Sequence, residues 1–390
     1  MTALQGREVV IVEAARTAIG RGHPEKGAFR DVHPNELLGA TYRAVIDRSG
    51  IDPSTVDAVA AGCVQQYGEQ MLNIGRTAWL QAGLPVETPA TTVDAQCGSA
   101  QQAVNTAAAL VAAGVHDVVI GAGVEHMGHV PLGAGWKTTE EFGTPWPPEL
   151  LERYELVPQG IAAERVADRW EISRRELDEL GLRSHQLAAR ATDEGRFGCE
   201  IVPVGANGAT VAVDQGIRRD TSLERLAALN PAFVVGGKVT AGNASQISDG
   251  AAAVLLMAAD KAHELGVAQR ARIVDQSLTG VDPVLMLTGP ISATRVLLER
   301  SDMAIDDVDL FEVNEAFASV VAAWVREVGA DMERVNVNGG AIALGHPLGS
   351  SGARLLTTLL HELERADAEF GLATMCCAGG LGTGTLIQRV

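Results

Sequence analysis

The sequence predicts an α/β protein with buried sheets, on three observations. Short apolar runs, Val9 to Val12, Val118 to Ile120, Ala252 to Met257 and Leu372 to Met375, alternate with longer segments of helical period. Strands that are apolar on both faces need helices above and below them. The chain is 46% hydrophobic but only 4% aromatic and carries 43 glycines, which suits close packing of helices on sheets. Its 390 residues provide core for two or three domains at roughly 150 residues each, and this excludes a disordered chain.

Taken in order, the elements echo one another. Arg48-Ser49-Gly50-Ile51-Asp52 followed by Val56-Asp57-Ala58-Val59 resembles Arg300-Ser301 followed by Ile305-Asp306-Asp307-Val308-Asp309-Leu310. Each time a helical segment leads through an acidic turn into a strand, at an offset of about 250 residues, the scale of a duplicated domain. Two similar halves are expected, residues 1–127 (completed by 240–270) and 271–390. Between them, residues 128–239 gather Trp136, Trp146 and Trp170, the Pro145-Trp146-Pro147-Pro148 cluster and a charged helical run from Ser173 to Arg190. Regular βα alternation stops there, so this stretch is expected to be an inserted loop domain that carries specificity.

Charge limits the partners. With 31 basic and 49 acidic residues the formal charge is −18, which argues against nucleic-acid binding because that affinity needs many cations on phosphates. An anionic ligand must therefore find a local basic contact. The longest apolar stretch, Ala107 to Gly123, is interrupted by His116 and Asp117, and the first ten residues show no signal pattern; a soluble cytosolic protein without a membrane span is expected. Five cysteines, two of them adjacent, make a poor disulfide framework, and no spacing points to a metal. Gly236-Gly237-Lys238 and Gly121-Ala122-Gly123 lack the remaining positions of a P-loop or a dinucleotide fingerprint.

Four segments carry candidate chemistry. Cys97 precedes a helical pattern through Ala100, Ala103, Val104, Ala107, Ala108 and Val111, and a helix start stabilises a thiolate and lowers its pKa; the bland alternative is a small buried hydrophobe at a tight turn. His346 lies among glycines in a loop before the stripe Leu355, Leu356, Leu359, Leu360 and Leu363, where backbone can approach a ligand closely, or where the segment is a structural turn. Thr374-Met375-Cys376-Cys377 ends a strand before glycines whose amides could bind an anion. Asn314, in Glu312-Val313-Asn314-Glu315-Ala316-Phe317, ends the strand Val308 to Val313 or caps a helix.

As an ordered set these segments resemble the thiolase family: Cys97-Gly98-Ser99, Asn314-Glu315-Ala316-Phe317, Gly345-His346-Pro347-Leu348-Gly349-Ser350-Ser351-Gly352-Ala353-Arg354, and a cysteine before C-terminal glycines. Gly242 to Ala252 and Gly123-Val124-Glu125-His126-Met127 resemble it too. The resemblance implies a five-layer α-β-α-β-α core of two duplicated halves, with the insertion covering the coenzyme A site. It implies Cys97 as nucleophile, His346 as its proton acceptor, Cys376 as acid/base with Cys377 as the variable residue, and Asn314 with His346 at one oxyanion site. A second oxyanion site would use the Cys97 amide and an amide of the C-terminal loop, where Ala378 replaces the usual first glycine.

For coenzyme A, a substrate and not a resident cofactor, the resemblance implies Ser245 near the pantetheine and Arg219 and Thr221 near the adenine and phosphate end. Gln159, in Pro158-Gln159-Gly160-Ile161-Ala162-Ala163-Glu164, stands at the family's methionine place in the altered substrate pocket. The activity implied is a degradative 3-ketoacyl-CoA thiolase of fatty-acid or steroid β-oxidation acting on acyl-CoA thioesters as a homodimer or homotetramer. The alternatives are a biosynthetic acetyl-CoA acetyltransferase and a non-catalytic acyl-CoA or lipid carrier on the same scaffold.

Overall fold

The computed structural model describes residues 6–390; Met1–Gln5, half of the N-terminal stretch considered above, lie outside the described residues. The strands are β1 (Val9–Thr17), β2 (Gly20–Arg21), β3 (Ala58–Gly62), β4 (Ala90–Val93), β5 (Val118–His126), β6 (Ile201–Val202), β7 (Val204–Ala206), β8 (Ala209–Val211), β9 (Ser248–Ala258), β10 (Ala271–Gly280), β11 (Leu310–Val313), β12 (Phe370–Cys377) and β13 (Leu381–Arg389). All four predicted apolar runs are strands, and β5 and β9 are buried along their whole length.

The sheet order is β11-β12-β13-β10-β1-β9-β5-β3-β4, with β2 added to β9 and β6 to β1. Its halves mirror one another. β5 is parallel to β3 and antiparallel to β9, which is antiparallel to β1; β12 is parallel to β11 and antiparallel to β13, which is antiparallel to β10. The sequence echo falls at matching places. The helix Pro34–Ser49 ends at Gly50 and passes through the turn Pro53–Thr55 into β3, and the helix Gly289–Ser301 ends at Asp302 and passes through Ile305–Asp307 into β11.

The helices Ser99–Ala112 and Ser351–Ala366 pack against each other and against strands of both halves, so they form the central layer. Pro34–Ser49 covers the outer face of β1, β5 and β9, and Gly289–Ser301 covers that of β10, β12 and β13. This is the five-layer arrangement, with one refinement. Val10↔Arg272 and Ile11↔Ala271 join β1 to β10, so the two β-layers are one continuous sheet wrapped around the central helix pair. The packing is close at the helix crossing, where a Cβ on Gly352 would lie 2.3 Å from the Gln101 nitrogen.

Residues 128–239 hold the helices Gln159–Arg169 and Arg174–Asp193, the latter opened by a Ser173/Glu176 capping box. The stretch is also tied into the core. β6 extends β1 in parallel, and fully buried Arg16 binds Glu200 at 2.5 Å and Asp214 at 2.8 Å. Losing one partner of such a pair leaves an uncompensated buried charge, at a cost of about 3–5 kcal/mol.

Candidate active site

The Cys97 loop is locked by short-range hydrogen bonds. Asp94 Oδ1 accepts from the Gln96 amide at 2.7 Å, and Ser99 Oγ accepts from the Ala95 amide at 3.0 Å while donating to the Gln96 carbonyl at 2.6 Å. Gln96 adopts a left-handed φ of 52°, which turns Cys97 inward, buried at the mouth of the helix Ser99–Ala112. The thiol lines a cavity of about 870 Å³ shared with Gln159, Leu348, Met286, Trp136 and Trp146. Its pKa runs against the sequence expectation. Burial pushes it up to about 11, although the Gln159 amide at 3.8 Å and the backbone amides of Ala378 and Cys97 itself all favour the thiolate. Desolvation outweighs these three donors, so the thiol is protonated at neutral pH.

Backbone and ring contacts fix His346. Its backbone amide donates to the Gln246 carbonyl at 3.2 Å and to Ser248 Oγ at 3.1 Å. On the ring, Nδ1 faces Ser351 Oγ at 2.6 Å, and that hydroxyl donates to the Pro347 carbonyl at 2.9 Å. With its proton committed there, Ser351 accepts from Nδ1–H, and the Nε2 lone pair faces the Asn314 side-chain amide at 3.3 Å. Burial, helped by the nearby Arg354 charge, pushes the imidazole down to about 3. The ring is therefore neutral at neutral pH.

The parallel register Val313↔Thr374 sets Asn314 beside the end of β12, with its amide donating to the Thr374 carbonyl at 3.0 Å. Asn314 Oδ1 is buried and has no partner among the described residues, so the site retains one uncommitted acceptor. Strand alternation sends the two neighbouring thiols to opposite faces of β12. Cys376 packs with Met286, Leu287, Ala316 and Phe317, and Met286 also lines the Cys97 cavity. Cys377 sits beneath the Cys97 loop, where a Cβ on Gly98 would come within 2.6 Å of its sulfur and 2.7 Å of Thr383 Cγ2. Burial raises both thiols, and proximity to Cys97 raises them further.

The expected coenzyme contacts fall in different places. Gln159 lies against the Cys97 thiol. Arg219 and Thr221 line a separate groove of about 410 Å³ with His185, Arg190 and Arg218. The Arg219 guanidinium there is held by both Asp193 oxygens at 2.8 Å, whereas Arg218 has no ion-pair partner among the described residues. Ser245 is part of neither lining; its amide donates to the Ala316 carbonyl at 3.0 Å, joining its loop to the segment after Asn314.

Three contributors were not identified from sequence. Glu125, buried at the end of β5, accepts from the Val64 and Gln65 amides at 3.0 Å, the Gln70 side chain at 2.8 Å and the Gly349 amide at 2.9 Å. It thereby holds the His346 loop against the cavity wall; its signal was a carboxylate at the end of a long apolar run. Glu315 holds Ser184 and the Ile342 amide, at 2.6 and 3.1 Å. Ser351, which faces the imidazole Nδ1 at 2.6 Å, stands in the Gly345 to Arg354 motif but was given no role there.

Residues 9–260 match the family model described as thiolase, N-terminal domain, and residues 267–389 the one described as thiolase, C-terminal domain. The chain is 45% identical to the steroid 3-ketoacyl-CoA thiolase FadA6 of Mycobacterium tuberculosis, over 98% of this chain and 94% of that protein. It is 42% identical to a 3-ketoacyl-CoA thiolase of Psychrobacter cryohalolentis over the whole of both. Among solved structures it resembles the Bacillus anthracis acetyl-CoA acetyltransferase, at a TM-score of 0.90 and 38% identity over 99% of each chain. It likewise resembles the human mitochondrial 3-ketoacyl-CoA thiolase in complex with CoA, at a TM-score of 0.90 and 35% identity over 100% of this chain and 99% of that one.

Proposed function

The chain belongs to the thiolase family, and on that footing we propose that it is a degradative 3-ketoacyl-CoA thiolase whose acyl group is bulky and ring-bearing, as in steroid β-oxidation. The observation that carries the substrate class is the cavity of about 870 Å³ opening on Cys97, a size suited to a large ligand. Its wall includes Tyr67, Leu132 and Phe142 together with Trp136 and Trp146, whose rings meet edge to face at 4.9 Å.

In the proposed first step His346 Nε2 takes the Cys97 proton and the thiolate adds to the C3 carbonyl of the substrate. The amides of Cys97 and Ala378 receive the oxyanion. The C2–C3 bond then breaks, leaving an acyl thioester on Cys97 and the enolate of acetyl-CoA. Asn314 Nδ2 and the protonated Nε2 stabilise that enolate, and the Cys376 thiol protonates its carbon. In the second step the Cys376 thiolate takes the proton of a fresh coenzyme A thiol, whose sulfur attacks the thioester. The shortened acyl-CoA leaves, and Cys97 recovers its proton from His346. Cys376 is favoured over Cys377 because the latter is closed in by Gly98 and Thr383.

Coenzyme A is the substrate thiol, and Arg218, Arg219, Thr221 and Ser245 are proposed along its path. The division into 1–127 with 240–270, 128–239 and 271–390 is kept as part of the proposal, as are a cytoplasmic location and a homodimer or homotetramer. No helix among the described residues is long and apolar enough to cross a membrane. Strand β4 ends the sheet close in sequence to exposed Met71, Leu72, Leu80 and Val86, a surface suited to self-association; light scattering tests the assembly.

Steady-state thiolysis of acetoacetyl-CoA and of medium-chain, long-chain and steroid-derived 3-ketoacyl-CoA, with Cys97→Ala as control, tests the function. The highest kcat/KM is expected on the ring-bearing substrate and none in the control. A best kcat/KM on acetoacetyl-CoA would point instead to the acetyltransferase reaction, and no thiolysis on any substrate to a carrier.

A further inference from the structure

Gln159 opens the helix Gln159–Arg169, the chain entering from Pro158 in extended conformation. The side chain is half-buried in the wall of the Cys97 cavity, and its Nε2 stands 3.8 Å from Cys97 Sγ, hydrogen-bond range for sulfur. Among the described residues no other side chain donates to that sulfur; the remaining donors are the backbone amides of Ala378 and Cys97. Those amides are fixed by the fold and serve the oxyanion once the carbonyl is attacked. The Gln159 amide is the donor left for the sulfur.

We propose that Gln159 is a positioning residue that donates from Nε2 to the Cys97 thiolate, increasing the share of attacking sulfur in a site that otherwise disfavours charge. The inference rests on the reading of Cys97 as the nucleophile. Of the interactions that oppose burial at Cys97, the one from Gln159 is the largest, and a hydrogen bond to the charged form favours that form. The effect belongs to sulfur activation. It acts on the acylation rate and leaves coenzyme A binding alone.

The test is the rate of iodoacetamide alkylation against pH, quantified at the Cys97 peptide by mass spectrometry so that the other thiols do not contribute. Gln159→Met keeps the length and removes the donor; Gln159→Asn keeps the amide but is too short to reach; Gln159→Glu replaces the donor with an acceptor. The first two are expected to raise the alkylation midpoint by about 0.5–1 pH unit and Gln159→Glu by more. Acylation falls by a similar factor in each, with KM for coenzyme A unchanged. Midpoints equal to wild type in variants that melt as wild type would overturn the proposal, as would a loss confined to KM. Alkylation needs no substrate, so a shifted midpoint in a chain without thiolysis would sink the thiolase reading and keep the role of Gln159.

Discussion

Asn314 donates from Nδ2 to Nε2 of His346 across 3.3 Å, which pairs the proposed proton acceptor with the other proposed donor of the enolate site. In the proposed reaction the two groups converge where charge develops in the transition state. Asn314→Ala is expected to lower kcat by about 10²–10³ with little change in KM; a change in KM alone would place Asn314 in substrate binding.

The imidazole owes its tautomer to Ser351, 2.6 Å from Nδ1. Ser351→Ala removes the acceptor and leaves Nδ1–H buried without a partner, so kcat/KM is expected to fall about tenfold, the equivalent of one hydrogen bond. Ser351→Thr restores a hydroxyl and should recover most of the loss.

The adjacent thiols separate by mutation. Cys376→Ala is expected to abolish thiolysis, and Cys377→Ala to leave it within a few-fold of wild type. Gly98→Ala would force its Cβ to 2.6 Å from the Cys377 sulfur, costing about 1–3 kcal/mol of stability by overpacking. Adding Cys377→Ala should restore only part of this in denaturant unfolding, because Thr383 Cγ2 still lies 2.7 Å from the new methyl.

Asp249 gives a stability effect with a defined pH window. It lies 3.3 Å from His126 Nδ1, and burial raises it from 3.8 to about 7 against the Gly128 amide and the His129 charge. The native state then holds a proton that the unfolded chain has lost, so this stabilisation is fully present below 3.8, declines as pH rises to about 7 and is gone above. Asp249→Asn does not titrate. Relative to wild type it should gain about 2–4 kcal/mol between the two ends of that window, read as the difference in denaturant midpoints at acidic and neutral pH.

The two adjacent arginines should differ. Arg219 is already neutralised by Asp193, so Arg219→Ala is expected to change KM for coenzyme A by less than about twofold, whereas Arg218→Ala should raise it several-fold by removing an unpaired charge from the same groove. The reverse order would return the phosphate contact to Arg219.

Much of the fold was legible in local pattern. The runs at Val9, Val118, Ala252 and Leu372 became β1, β5, β9 and β12, because a strand apolar on both faces has few other solutions. The acidic-turn echo marked two matching helix-to-strand units. The β1 to β10 seam was not legible, since two residue pairs leave no compositional trace. At the site, residue type and neighbours singled out Cys97, His346, Asn314 and the Cys376-Cys377 pair as candidates, and the family resemblance supplied their roles and the choice of Cys376. Glu125 and Ser351 could not be assigned roles, because their partners Gly349 and His346 become neighbours only through folding or through the turn at Pro347.

By itself, then, the sequence determined the layered α/β class and the inventory of thiols, imidazole and amide, since periodicity and motif spacing are local properties. Tertiary structure alone decided three things: the tautomer of His346, the pairing of Gln159 with Cys97, and the direction of the Cys97 pKa shift. A helix start favours a thiolate over one turn, but desolvation sums over every group that excludes water. At Cys97 burial outweighs the Gln159, Ala378 and Cys97 donors that reach the sulfur, raising the thiol to about 11.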